Sequence, residues 1–234
     1  MLTFAFPAAA FATNCYVFAT GPGEDAVVVD PGVGVLPRLQ ALLEEHRLRP
    51  AAVLLTHGHI DHVYSVTPVC GAGGAAAYIH GDDRYRLRDP LGGVDPQLLA
   101  MLEAEFGSRA TWREPDDIIE ISGGASLTLA GLDVRVTHAP GHTEGSVMFA
   151  LPGVPDGIGR DSGLTSTVVS GDVLFAGSIG RTDLPGGSMT AMTRSLRDCV
   201  LPLPDDTLVL PGHGPATTMK RERATNPYLQ GLRP

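Results

Sequence analysis

The stretch "THGHIDH", Thr56 to His62, sets three histidines and an aspartate within six positions, directly behind an apolar run. Neutral imidazole and carboxylate are ligands that zinc, iron and manganese accept, and alternate residues leaving a strand end can converge on one ion. His57, His59, Asp61 and His62 therefore read as a metal site. The plainer readings are a solvated histidine-rich loop, or a helix start at which Asp61 favours the dipole. Three more loops add donors, each beside glycine: His142 in "HAPGHTEGS", Asp172 in "SGDVLF" and His213 in "LPGHGP". Any one alone would read as a surface histidine or a turn residue. Together with the cluster they make seven potential ligands at strand ends, enough for two metal ions.

The elements that must position these loops follow from pattern. "AVVVDPG" is a β-branched run stopped by Pro31 and Gly32, "VLPRLQALLEEHRL" carries apolar residues at helical spacing, and "AAVLLT" reads as a buried strand with the histidine cluster at its carboxyl end. That end is where α/β sheets place their chemistry. "AAAYIH" is a third strand, followed by helix-like and irregular sequence from Asp82 to about Ser108. From Asp116 the pattern predicts antiparallel strands: "DDIIEI", "ASLTLA", "LDVRVTH", "GSVMFAL" and "STVVSGDVLF", with a tight turn at Gly131 and Leu132 and a long hairpin loop over Pro152 to Thr165. "SMTAMTRSLRDCV" is a helix with Ser188 as N-cap, "TLVLPGHGP" a last strand and loop, and the tail a short helix. The opening "MLTFAFPAAAFATNCYVF" reads as two strands rather than a secretion signal, because the first Arg is Arg38 and Pro7 interrupts the apolar run.

Composition narrows the function classes. A chain of 234 residues, 43% hydrophobic, can bury a sizeable core, and the expectation is one domain over residues 1–234. A formal charge of −9 argues against a sequence-independent grip on nucleic acid, which needs clustered Lys and Arg. Cys15, Cys70 and Cys199 are odd in number and without a CxxC, so neither a disulfide framework nor a thiolate zinc site is indicated. Cys15 reads as a small buried hydrophobe. No apolar stretch reaches the ~20 residues needed to cross a bilayer, so a soluble cytoplasmic protein with small-molecule partners is expected.

The sequence resembles the metallo-β-lactamase fold superfamily, and within it the glyoxalase II-like thioester hydrolases. The motifs "TNCYVF", "VVDPG", "THGHIDHV", "APGHTEGS", "SGDVLF", "GRTDLPGG" and "PGHGP" occur in that family's order over nearly the whole chain. The resemblance implies a four-layer αββα sandwich (α/β, α+β). It further implies that His57, His59 and His142 bind one metal, that Asp61, His62 and His213 bind the other, and that Asp172 bridges them. Asp30 matches a family position that supports ligand orientation, although a strand-ending turn before Pro31 is an equal reading. His46, His80 and His138 stand outside the ligand set.

The expected chemistry is hydrolysis. Two divalent ions, zinc first and iron or manganese as alternatives, hold a bridging water whose pKa falls towards ~7, so that hydroxide can attack an S-acyl thioester, with Asp61 orienting it or shuttling its proton. Lactamase branches with a zinc-binding cysteine have Cys where this chain has Asp172, and others have Arg where it has His62, which argues against antibiotic hydrolysis. The helical C-terminal domain of larger glyoxalase II enzymes is not expected, because only about twenty residues follow "PGHGP". Lys220 is the only lysine and the carrier thiol stays open. "GRTDLPGG" also occurs in mononuclear-iron persulfide dioxygenases, which is the main alternative, and a non-catalytic metal-binding protein is the second. Arg181 within it is a candidate for a substrate carboxylate, or for an internal ion pair with Asp183.

Overall fold

The computed structural model describes residues 1–91, 96–106 and 112–232. Two six-stranded sheets face each other. The first is built in chain order from β1 (Leu2–Pro7), β2 (Asn14–Ala19), β3 (Asp25–Val29), β4 (Arg49–Leu54), β5 (Ala76–His80) and β6 (Ile118–Ile121). The second contains β7 (Ser126–Leu129), β8 (Leu132–His138), β9 (Val147–Pro152), β10 (Ser166–Gly171), β11 (Thr207–Pro211) and the short β12 (Thr217–Thr218). The helices are α1 (Leu36–His46), α2 (Ile60–Val63), α3 (Val66–Gly73), α4 (Pro96–Phe106), α5 (Met189–Ser195) and α6 (Met219–Thr225). Gly81–Leu87 forms a 3₁₀ turn after β5, and α5 runs on into a π-helical segment, Leu196–Val200.

Alternation along each strand divides the apolar residues among three interfaces. Phe18, Val27 and Ala52 meet Val136, Phe149 and Val169 between the sheets. Their neighbours Val17, Val28, Val53 and Ala77 point the other way, onto Leu39 of α1 and Val66 and Val69 of α3. On the far side Met148, Val168 and Val209 pack with Met192 of α5 and Met219 of α6. The result is the expected αββα order of layers.

Strand direction is what brings the loops together. β3, β4, β5 and β6 are mutually parallel. In the second sheet β8 and β10 are each antiparallel to β9, and β10 is parallel to β11, so β8, β10 and β11 share a direction. The two sets of carboxyl ends meet along one edge, joined by Val147 N–H donating to the Thr56 carbonyl at 2.8 Å and Asn14 N–H to the Gly212 carbonyl at 2.7 Å.

Two expectations are corrected here. The segment from Asp116 is not uniformly antiparallel: β6 returns to the first sheet parallel to β5, because it follows a crossover that carries α4, while β10 pairs antiparallel with β9 as read and parallel with β11, which follows α5. The tight hairpin turn sits one residue earlier than read. Leu129 pairs with Leu132, leaving Ala130 and Gly131 at the turn with φ of 51° and 73°, as a two-residue hairpin turn of this twist requires. The helix-like reading from Asp82 to Ser108 is met by the 3₁₀ turn and α4, while 92–95 and 107–111 lie outside the described residues. Among those described, no helix is long and apolar enough to cross a membrane.

Candidate metal centre

The structure brings all seven sequence-derived residues to this shared edge. His57 and His59 leave β4, and the single turn of α2, which starts after His59, presents Asp61 and His62. His142 follows β8, Asp172 follows β10 and His213 follows β11. Their donor atoms fall into overlapping groups: His57 with His59 and His142; His57 with His62 and Asp172; Asp61 with His62 and His213, each within 4.8 Å. Asp172 reaches both sides, with Oδ1 3.4 Å from His62 Nε2 and Oδ2 3.5 Å from His142 Nε2 and 3.6 Å from His213 Nε2. His57, His62 and His142 are buried, while His213 at 30% and Asp61 at 20% side-chain exposure mark the open side.

Outer partners fix which ring nitrogen faces inward. Thr56 Oγ1 donates to Asp30 Oδ2 at 2.6 Å, so at 3.1 Å it accepts from His57 Nδ1, which leaves His57 Nε2 as a bare lone pair. His142 Nδ1 donates to the Arg181 carbonyl at 2.7 Å, with the same result for its Nε2, and His62 Nδ1 donates to Asp30 Oδ2 at 2.9 Å, which turns its Nε2 inward as well. His59 is turned the other way, its Nδ1 2.8 Å from His142 Nε2. Among the described residues, three buried side-chain atoms have no hydrogen-bond partner: His57 Nε2, His62 Nε2 and Asp172 Oδ1. Orphaned polar groups of this kind cost about 1–3 kcal/mol each, and all three lie in one cluster of potential ligand atoms. Lone pairs of imidazole and carboxylate aimed at one point are the donor set of a divalent transition metal, so the residues present fit the group.

Protonation follows the same division. Burial, then the neighbouring imidazoles, hold His57 well below the ordinary histidine value, and burial with His142 pushes His59 down to about 3. Burial also lowers His142. Burial works against charge on His62 as well, but Asp61, Asp172 and Asp30 outweigh it and raise that imidazole to about 10. Asp61 is held well below the usual carboxylate range by His62 and His213 despite its burial. A proton on His62 offsets these carboxylates, and a cation held here would take its place.

Asp30 resolves its two readings in favour of support for the ligands. It sits at φ 49°, a left-handed conformation that Asp tolerates better than most residues, and its buried carboxylate accepts from Thr56 N–H, the Thr56 hydroxyl and His62. Asn tolerates the same backbone but must turn an N–H towards one of these donors. Asp30→Asn is therefore expected to weaken metal binding about 10- to 100-fold, read by competition with a chelator. Unchanged affinity would return Asp30 to the role of a turn residue.

Arg181 is placed otherwise than as a free cation. Its guanidinium pairs with Asp183 at 2.7 and 2.8 Å, the internal ion pair that was the other reading, and its carbonyl is what serves the site by holding His142. Sequence reasoning missed Thr56, whose adjacency to His57 was the available signal, and Thr13, whose hydroxyl donates to Asp61 Oδ2 at 2.9 Å. It also missed Asp83, considered below. His46 lies against Phe4 and Glu45. His80, Asp82 and His138 form a further group of donors within 4.8 Å, but the two rings stack at 3.9 Å and 13°, and planes that nearly parallel do not meet at one ion. The Cys15 thiol is pushed up by burial and by Asp30, as suits an inert core residue.

A family model described as the metallo-beta-lactamase superfamily matches residues 8–213. The chain belongs to the metallo-beta-lactamase superfamily. Among its members, the hydroxyacylglutathione hydrolase GloC of Haemophilus influenzae is 33% identical over 224 residues, covering 95% of each chain. The crystal structure of the B3 metallo-beta-lactamase BLEG-1 superposes with a TM-score of 0.76 at 34% identity, over 98% of this chain and 100% of that one. The crystal structure of TTHA1623 in a di-iron-bound form gives 0.74 at 35% identity, over 97% and 100%. Superfamily membership and the His/Asp groups together make this a metallo-hydrolase.

Proposed function

We propose that the chain hydrolyses S-acyl thioesters at a two-metal centre. The observation that carries this reading is the pair of three-donor groups, His57, His59, His142 and Asp61, His62, His213, reached from both sides by Asp172 and partly open to solvent at His59, Asp61 and His213. Bound there, two divalent ions supply Lewis acidity and a water acidic enough to attack at neutral pH. The chain's own residues do the rest. Asp61, with Thr13 holding Oδ2, stands at the open side and is assigned to orient the attacking water and carry its proton. His142 is held against rotation by the Arg181 carbonyl and His62 by Asp30, so the donors keep their aim as charge develops. Water oxygen bonds to the acyl carbon, the C–S bond breaks, and the proton leaves with the thiol. Arg181 would receive a substrate carboxylate by exchanging it for Asp183, an exposed pair that water screens.

The similarity to GloC favours a 2-hydroxyacyl thioester. The test is release of free thiol from S-lactoylglutathione and from the same acyl group on other thiols, using protein restored with zinc, iron or manganese. Turnover with one of them is expected. Protein that holds two ions and releases no thiol from any would overturn the reading. BLEG-1 puts a β-lactam on the same panel. Oxygen uptake with glutathione persulfide by protein holding one iron would point instead to the dioxygenase branch.

A further inference from the structure

The 3₁₀ turn Gly81–Leu87 carries no ligand, yet it ends in the middle of the centre's supports. Asp83 is fully buried and accepts four hydrogen bonds. Oδ2 takes the Gly58 N–H at 2.7 Å and the Thr143 hydroxyl at 2.8 Å; Oδ1 takes the Gly145 N–H at 2.9 Å and Arg86 Nε at 3.3 Å. Gly58 lies between His57 and His59, and Thr143 and Gly145 follow His142. The carboxylate thus ties together the two loops that supply one donor group, and it ties them by backbone. Both glycines are needed for the approach: a Cβ at Gly58 would stand 2.6 Å from Arg86 Cβ, and one at Gly145 2.6 to 2.7 Å from Asp83 itself. Arg86 extends the tie to a third loop, donating to Glu144 at 2.7 Å and to the Pro185 carbonyl at 2.8 Å, in the segment whose Arg181 carbonyl holds His142.

We infer that Asp83 is a positioning residue that sets the spacing of His59 against His142, and with it the affinity of the His57, His59, His142 group for its ion. Asp30 serves the other side, through His62. The inference rests on the two-metal reading. Three of the four partners of Asp83, Gly58 N–H, Gly145 N–H and Arg86 Nε, can only donate, so an amide in its place must oppose at least one of them whichever way it is turned.

The experiment compares wild type, Asp83→Asn, Thr143→Val and Thr143→Ser in stepwise competition between zinc and a chelator, with the absorption spectrum of the cobalt-loaded protein as a second readout. In Asp83→Asn one ion is expected to bind about 10- to 100-fold more weakly while the other keeps wild-type affinity, and the cobalt bands of one site are expected to change. Thr143→Val removes one donor without changing volume and is expected to weaken the same ion less; Thr143→Ser restores it. If Asp83→Asn does not fold, the Thr143 pair decides. Both ions bound as in wild type, with only the melting temperature lowered, would reduce Asp83 to a structural role and overturn the inference. Wild type that binds no ion would overturn the metal reading itself.

Discussion

Asp172→Ala is expected to lower kcat/KM for the proposed thioester hydrolysis by on the order of 10³-fold or more, and to reduce bound metal from the proposed two ions towards one. No other single side chain among the described residues approaches His62, His142 and His213 at once, at 3.4, 3.5 and 3.6 Å. Removing it leaves Asp61 alone, 3.6 Å from His62 and 3.2 Å from His213, to face the inward imidazoles, and two cations are held close together only with enough negative charge to offset their repulsion. Relaxation of the neighbours does not repair this. Asp172 is buried, and the position against its carboxylate is Gly212, which has no side chain to take its place. Steady-state kinetics together with metal analysis of the purified variant check the result, with His46→Ala as the control that keeps wild-type turnover. Full activity in Asp172→Ala would contradict its place between the two groups.

How much of this could be read beforehand depended on how each residue does its work. The candidate donors were legible because metal binding demands particular side chains, and His57 to His62 concentrate them in one segment. His142, Asp172 and His213 were weaker signals singly, and their pairing came from the resemblance. What brings them together is that β8, β10 and β11 run the same way, a property of topology that no local pattern carries. The same blindness misassigned β6: "IIEI" looks alike whether its neighbour is parallel or antiparallel. Asp83 escaped for a different reason. It bonds mainly to backbone N–H groups, which every non-proline residue possesses, so nothing in the types of its partners announces the contact. Asp30 stood between these cases: its motif was visible, but whether its carboxylate faced the site or only ended a strand was decided by its left-handed backbone and by Thr56.

Stripping the metal with a chelator is expected to lower the melting temperature by roughly 10 °C or more without unfolding the protein. Each ion held at about a thousand times its dissociation constant contributes about 4 kcal/mol, and in a chain of this size 1 kcal/mol moves the midpoint by about 2–4 °C. The contribution is large because without ions His57 Nε2, His62 Nε2 and Asp172 Oδ1 stay buried without hydrogen-bond partners and the imidazoles crowd edge to face at 4.5 to 4.8 Å. It is not larger because the sandwich does not depend on the metal for its core. Phe18 and Phe149 between the sheets, and the layers of α1 with α3 and of α5 with α6, bury apolar surface remote from the ligands. This separates the chain from small zinc domains, in which metal binding and folding are one event. Calorimetry before and after chelation, then with zinc, iron or manganese restored, measures the effect. A midpoint that moves with neither treatment would mean that no ion occupies the space these lone pairs face, and the centre would lose its chemical meaning.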